Sequence, residues 1–175
     1  IMTSKMRELI NELAEAVIDT FEISIPISNI EEAVKKLGGR IELDTSLSVF
    51  SDGYIKKDGE NGFVIRISPH QTNERKLFTI AHELGHLFLH MGFKTDSDEW
   101  KKQNENVFFR NGTSEEEYQA NEFAAAFLMP EKKYRKQLEK YTEGFTVYTS
   151  KIADYFGVSV AAASNRGKWL GLLEW

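Results

Sequence analysis

Along residues 4–20, apolar side chains fall at Met6, Leu9, Ile10, Leu13, Ala16 and Val17. That three-and-four spacing predicts an amphipathic helix. Pro26 interrupts it. Ser28, with Glu31 three residues on, reads as the N-cap of a second helix that ends at Leu37 before Gly38-Gly39, so the N-terminal helices are expected within 4–37. The pattern then changes to short runs. Arg40 to Asp44, Val49 to Lys56 and Phe63 to Ile67 read as strands, and Asp58-Gly59-Glu60-Asn61-Gly62 as a turn, giving a small antiparallel sheet over 40–67. Helical periodicity returns over 72–90. A polar stretch over 91–113, apart from Val107-Phe108-Phe109, reads as a long surface loop, a length that often marks function. A further helix is expected over 114–129, stopped by Pro130, and helical stretches at 131–141, 149–156 and 160–169 form a C-terminal cap over 131–170. The expected class is α+β. One domain over 1–175 is mostly helical, with about three antiparallel strands packed against the 72–90 and 114–129 helices.

Composition narrows the chemistry. The 175 residues include no cysteine, so a disulfide or thiolate metal site is excluded and any metal must be held by His, Asp or Glu. The net charge is −5, and the pairs Lys35-Lys36, Lys56-Lys57, Lys101-Lys102 and Lys132-Lys133 are scattered among acids. This predicts no direct nucleic-acid contact. No apolar stretch reaches the roughly 18 residues that a membrane span needs, so no membrane partner is expected and the cytoplasm is the expected location.

Within the 72–90 helix stands Ala81-His82-Glu83-Leu84-Gly85-His86. Residues four apart share a helix face, so the imidazoles of His82 and His86 can converge on one ion, while Glu83 can reach a water on it without ligating. Leu77, Ile80, Ala81, Leu84 and Phe88 make the opposite, core-facing stripe. His90 continues the spacing but lies eight residues from His82, about 12 Å along a straight helix, too far to share the ion. It reads as structural or as the rim of the site, and His70 has no motif around it. The third ligand is then a carboxylate of the 114–129 helix. Glu117 has Asn121 four residues later on the same face, where Asn121 can accept from the outer nitrogen of a ligating histidine. Two features compete with this assignment. Ser114-x-x-Glu117 also fits a capping box, and Glu122 is an alternative carboxylate. Small residues Ala81 and Gly85 on one helix, and Ala120, Ala124 and Ala125 on the other, allow the two a close approach.

The run 75–86 ending in His-Glu-Leu-Gly-His, then Glu117-Tyr118-Gln119-Ala120-Asn121-Glu122-Phe123-Ala124-Ala125 and Leu128-Met129-Pro130, resembles the ImmA/IrrE metallo-endopeptidases. The tail Ile152-Ala153-Asp154-Tyr155-Phe156-Gly157-Val158-Ser159, with Asn165-Arg166, also matches that family's C-terminal helices. The resemblance implies a gluzincin-like peptidase that cleaves a helix-turn-helix repressor controlling a mobile element, prophage or stress response. It implies Zn²⁺, or another divalent ion such as Mn²⁺, held by His82, His86 and Glu117. Glu83 is then the catalytic base, and Asn121 stands behind a ligand.

Some points stay open at this stage. Tyr54, Tyr118, His70 and His90 are undistinguished candidates for stabilising an oxyanion. The Phe63–Ile67 strand is expected to present an edge for an extended substrate. The alternative function is a non-catalytic metal-binding module that sequesters a repressor. A helix-turn-helix rhythm over Lys151 to Lys168 offers DNA binding, but its few basic residues favour a helical cap over the core.

Overall fold

A computed structural model describes residues 2–48, 53–109 and 113–175. Helix α1 (Ser4–Thr20) starts at Thr3, whose hydroxyl accepts from the Met6 amide, and it buries Ile10, Ala14 and Val17 along one stripe. Helix α2 (Ile30–Leu37) is capped by Asn29, which accepts from Glu32 N–H, not by Ser28. It closes on Gly38 in the left-handed region, φ 105°, which glycine adopts at no steric cost.

The sheet differs from the expectation. Its order is β1 (Gly39–Leu43), β3 (Phe63–Ile67), β2 (Tyr54–Lys57), with β3 antiparallel to β2 but parallel to β1. It is therefore a mixed sheet. The Asp58–Gly62 turn joins β2 to β3 as a hairpin, closed by an Asp58 N–H to Gly62 C=O bond of 2.9 Å. The longer passage from β1 to β2 lets β3 insert between them. The expected strand residues 49–52 lie outside the described residues. Strand β3 is central, with Phe63, Val64, Ile65 and Ile67 all buried, so the edge expected there is closed and β2 carries it instead.

The sheet packs on α3 (Asn73–Leu89), capped by Thr72, and α3 buries Leu77, Ile80, Ala81, Leu84 and Phe88. The 91–113 stretch is less loop-like than its polarity suggests, although its residues 110–112 lie outside the described ones. It contains α4 (Ser97–Lys102), and Met91, Phe93 and Trp100 are core residues. The Trp100 indole donates to Glu60 C=O at 2.7 Å, and Phe93 lies edge-on to it. Helix α5 (Ser114–Leu128) lies against α3 and α1, followed by α6 (Glu131–Lys140). A two-residue-per-strand hairpin, β4 (Thr142–Glu143) with β5 (Thr146–Val147), went unanticipated. Helices α7 (Thr149–Phe156) and α8 (Val160–Trp169) complete the chain, turning at Gly157. Among the described residues, eight helices and a small sheet make this an α+β fold. Among the described residues, no helix is long and apolar enough to cross a membrane.

Candidate metal centre

Helices α3 and α5 approach each other closely at Gly85. A Cβ on Gly85 would lie 2.9 Å from both Cα and O of Ala120 and 3.2 Å from Cβ of Phe123. No other residue fits there without moving backbone. This contact brings the face of α5 that carries Glu117 and Asn121 against the face of α3 that carries the histidines.

Helix α5 begins one residue earlier than the competing capping box required. Thr113 is the N-cap: its hydroxyl accepts from Glu116 N–H, and Glu116 accepts from Thr113 N–H at 3.2 Å. Thr113 and Ser114 each start a Ser/Thr-x-x-Glu pattern, and the fold uses the first. Glu117 is thereby released to reach across to α3. His82 Nε2 lies 3.1 Å from Glu117 Oε2, His86 Nε2 lies 2.9 Å from Glu117 Oε1, and the two Nε2 atoms are 3.2 Å apart.

The outer hydrogen bonds decide where the protons are. Asn121 Oδ1, a carbonyl oxygen, can only accept, so the Nδ1–H of His82 donates to it at 2.7 Å. Gln119 Oε1 likewise accepts from His90 Nε2–H at 2.9 Å. His90 Nδ1 is then a bare acceptor, and His86 Nδ1–H donates to it at 2.9 Å. Both histidines of the motif therefore turn an unprotonated Nε2 toward Glu117. Burial, reinforced by His82 and His90, pushes His86 from 6.5 down to about 3, so its imidazole is neutral at pH 7. The 2.9 Å contact of His86 with Glu117 is consequently not an ion pair: it sets lone pair against lone pair, and Glu117 Oε1 is buried without a hydrogen-bond donor.

A cation relieves that repulsion. Ligands at about 2.0–2.1 Å in a tetrahedral shell are about 3.3 Å apart, close to the 2.9–3.2 Å separations found here. His82, His86 and Glu117 can hold a metal ion as the structure stands. Two imidazoles and one carboxylate suit zinc, and three ligands leave a fourth position for water. Glu83 lies between the two histidines on α3 and is 4 % exposed.

Glu122 stands elsewhere. It accepts from Arg7 at 2.8 Å, Asn11 at 2.9 Å and Arg166 at 3.2 Å, tying α5 to α1 and α8. Arg166, nearly inaccessible, also donates to Met129 C=O and Asn11 Oδ1. A guanidinium so enclosed cannot meet a phosphate, which weighs against DNA binding through α8. Beside this network, a cavity of about 1000 Å³ lined by Phe78, Tyr118, Ala162 and Trp169 includes none of the three candidate ligands and touches the site through Asn121, the partner of His82.

Sequence reasoning left three contributors unassigned. His90 carried a signal, since a histidine four residues beyond His86 can bond to it. Gln119 carried none, because helical spacing turns it away from Glu117 and Asn121. Phe109 lies tilted beside the His86 ring at a centroid distance of 5.1 Å and stacks on His90 at 6.4 Å, a contact between distant segments.

A helix bearing His-Glu-x-x-His, facing a glutamate on a second helix over a small mixed sheet, defines a metallopeptidase-like architecture. The chain belongs to the Peptidase_M78 family, described as the IrrE N-terminal-like domain, which matches residues 41–168. Among solved structures it is similar to a Mycobacterium tuberculosis transcriptional regulator, with 17% identity and a TM-score of 0.61. The match covers 91% of this chain and 46% of that one, so the chain spans about half the length of that relative. Comparison with curated protein sequences finds no match.

Proposed function

We propose that this protein is a zinc-dependent endopeptidase that cuts a helix-turn-helix repressor. The observation that carries the reading is the convergence of His82 Nε2, His86 Nε2 and Glu117, with the two imidazoles oriented by the bonds at their Nδ1 atoms, next to a buried Glu83. His82, His86 and Glu117 would hold a divalent ion, zinc or a substitute such as manganese, which would supply a water of lowered pKa, toward about 7, and a Lewis acid for the scissile carbonyl. Glu83 takes the proton from the attacking water at its carboxylate and passes it to the nitrogen of the leaving strand. Asn121 and the His90–Gln119 pair hold the two imidazoles in the ligating tautomer throughout. His90 has both ring nitrogens engaged and is therefore unsuited to the oxyanion role. A repressor substrate is supported by the ImmA/IrrE resemblance, and the structural relative is itself a transcriptional regulator.

The test compares wild type with Glu83→Gln. Elemental analysis is expected to find about one ion per chain in both. Incubation with a candidate repressor, followed by mass spectrometry, is expected to yield fragments with wild type alone. If Glu83→Gln relieved repression as well as wild type, sequestration would replace cleavage. Absence of metal from both, after supplementation, would remove the reading.

A further inference from the structure

After a turn over residues 104–107, Phe108 and Phe109 lie beside the outer edge of β2. Phe109 N–H donates to Ile55 C=O at 2.7 Å. The two aromatic neighbours point to opposite faces, the two-residue alternation of an extended chain. Phe108 lies over the outer face, 6.1 Å from the Tyr54 ring, with the Lys56 ammonium 5.1 Å and the Arg66 guanidinium 4.8 Å from its centroid. Phe109 turns to the inner face, the one on which Ile55 and Lys57 are buried, and its ring covers His86 and His90. The direction is fixed as well. Glu105 accepts from the Gly59 amide at one end, while Phe109 meets Ile55 at the other, so the segment runs antiparallel to β2. A turn at Asn104, whose side chain accepts from Asn106 N–H at 2.8 Å, launches it.

We infer that Phe108-Phe109 is a built-in pseudosubstrate: the pair holds the place and direction that an extended stretch of the protein substrate takes along β2. This rests on the peptidase reading above. The inference names the chemistry of the substrate. Its extended stretch carries a large aromatic or aliphatic side chain where the Phe109 ring lies against His86, preceded by an aromatic one for the Arg66–Lys56 face. Two strands cannot share the Ile55 carbonyl and the space over His86, so substrate entry displaces the segment.

The test uses metal-loaded Glu83→Gln, which binds without cutting. The probes are two fluorescein-labelled peptides, Asn-Glu-Asn-Val-Phe-Phe and the same peptide with both Phe replaced by Ala. The first is expected to bind at least about tenfold tighter and to speed hydrogen exchange at the Phe109 amide, whose bond to Ile55 it takes over. Adding Phe109→Ala is expected to raise peptide affinity about tenfold, because the competitor is gone, with metal content unchanged. Equal binding of both peptides, no binding by either, or a Phe109 amide that stays protected in the bound state would overturn the inference. So would weaker binding or metal loss in Phe109→Ala, which would make the ring a plain wall of the site. Exchange is read with Phe109 intact, so it decides the matter even if the double variant folds poorly. None of these outcomes touches the peptidase reading, which stands or falls on wild-type cleavage and metal content.

Discussion

Replacing Gly85 by Ala sets two effects of opposite sign against each other. In an isolated helix the change stabilises by about 0.8–1.0 kcal/mol, because alanine loses less backbone freedom. Here the new methyl meets the Ala120 backbone at 2.9 Å. Ordinary carbon contacts lie at about 3.5–4.0 Å, so α5 must retreat by roughly 0.6 Å or more. Overpacking of this kind costs about 1–3 kcal/mol. The balance is a loss of about 1 kcal/mol, or about 2–4 °C in melting temperature for a chain of this size. The larger effect falls on the site. Glu117 rides on α5, and metal–ligand distances tolerate only about 0.2 Å, so zinc affinity is expected to fall by about tenfold or more. Calorimetry on chelator-treated protein reads the first quantity, and competition with a zinc chelator reads the second. A variant that melts higher than wild type and binds zinc as tightly would refute the close helix approach and the argument built on it.

The two carboxylates of α5 are expected to separate cleanly. Glu117→Ala loses the metal, whereas Glu122→Ala keeps it and melts lower, by the roughly 3–5 kcal/mol that follows from leaving a buried charge such as Arg166 unpaired; elemental analysis and calorimetry on the pair read both. Gln119→Ala, with no contact to the ion, is expected to weaken zinc binding by about tenfold by freeing His90 and then the His86 tautomer, and chelator competition equal to wild type would disprove the relay. For acid stability, the folded protein holds His86 at about 3 while the unfolded chain takes up that proton near 6.5. The unfolded state binds more protons in between, so metal-free stability is intact above pH 6.5 and falls toward pH 3, by up to about 1.4 kcal/mol per pH unit. Melts of metal-free wild type and His86→Ala from pH 7.5 to 4.5 check this, since the variant lacks that share of the slope.

Local pattern carried far in this chain. The helices at 4–20, 114–128, 131–140, 149–156 and 160–169 lie where apolar spacing and breakers such as Pro130 and Gly157 point. The spacing of His82 and His86, and of Glu117 and Asn121, singled out side chains that the fold gathers into one cluster. What stayed hidden depended on distant segments meeting. Strand direction is not written in alternation, so β1 and β3 gave no sign of pairing in parallel. The core places of Trp100 and Phe93 were not legible in the polar 91–113 stretch, because their partners, Glu60 and Phe63, come from the hairpin before α3. The capping box read at Ser114 and Glu117 forms instead one residue earlier, between Thr113 and Glu116.

The bonds around Glu122 have a practical bearing on where this protein can be cut. Family similarity begins at residue 41, yet Arg7 and Asn11 of α1 hold two of the contacts on Glu122, and Asn11 also takes an Arg166 donor. A fragment trimmed to the similar region would leave a buried carboxylate and guanidinium short of partners and uncover the surface that Ile10, Ala14 and Val17 now shield. Helix α1 thus acts as the outer buttress of the ligand-bearing helix, and the smallest piece able to keep Glu117 in place extends well beyond the stretch that similarity defines.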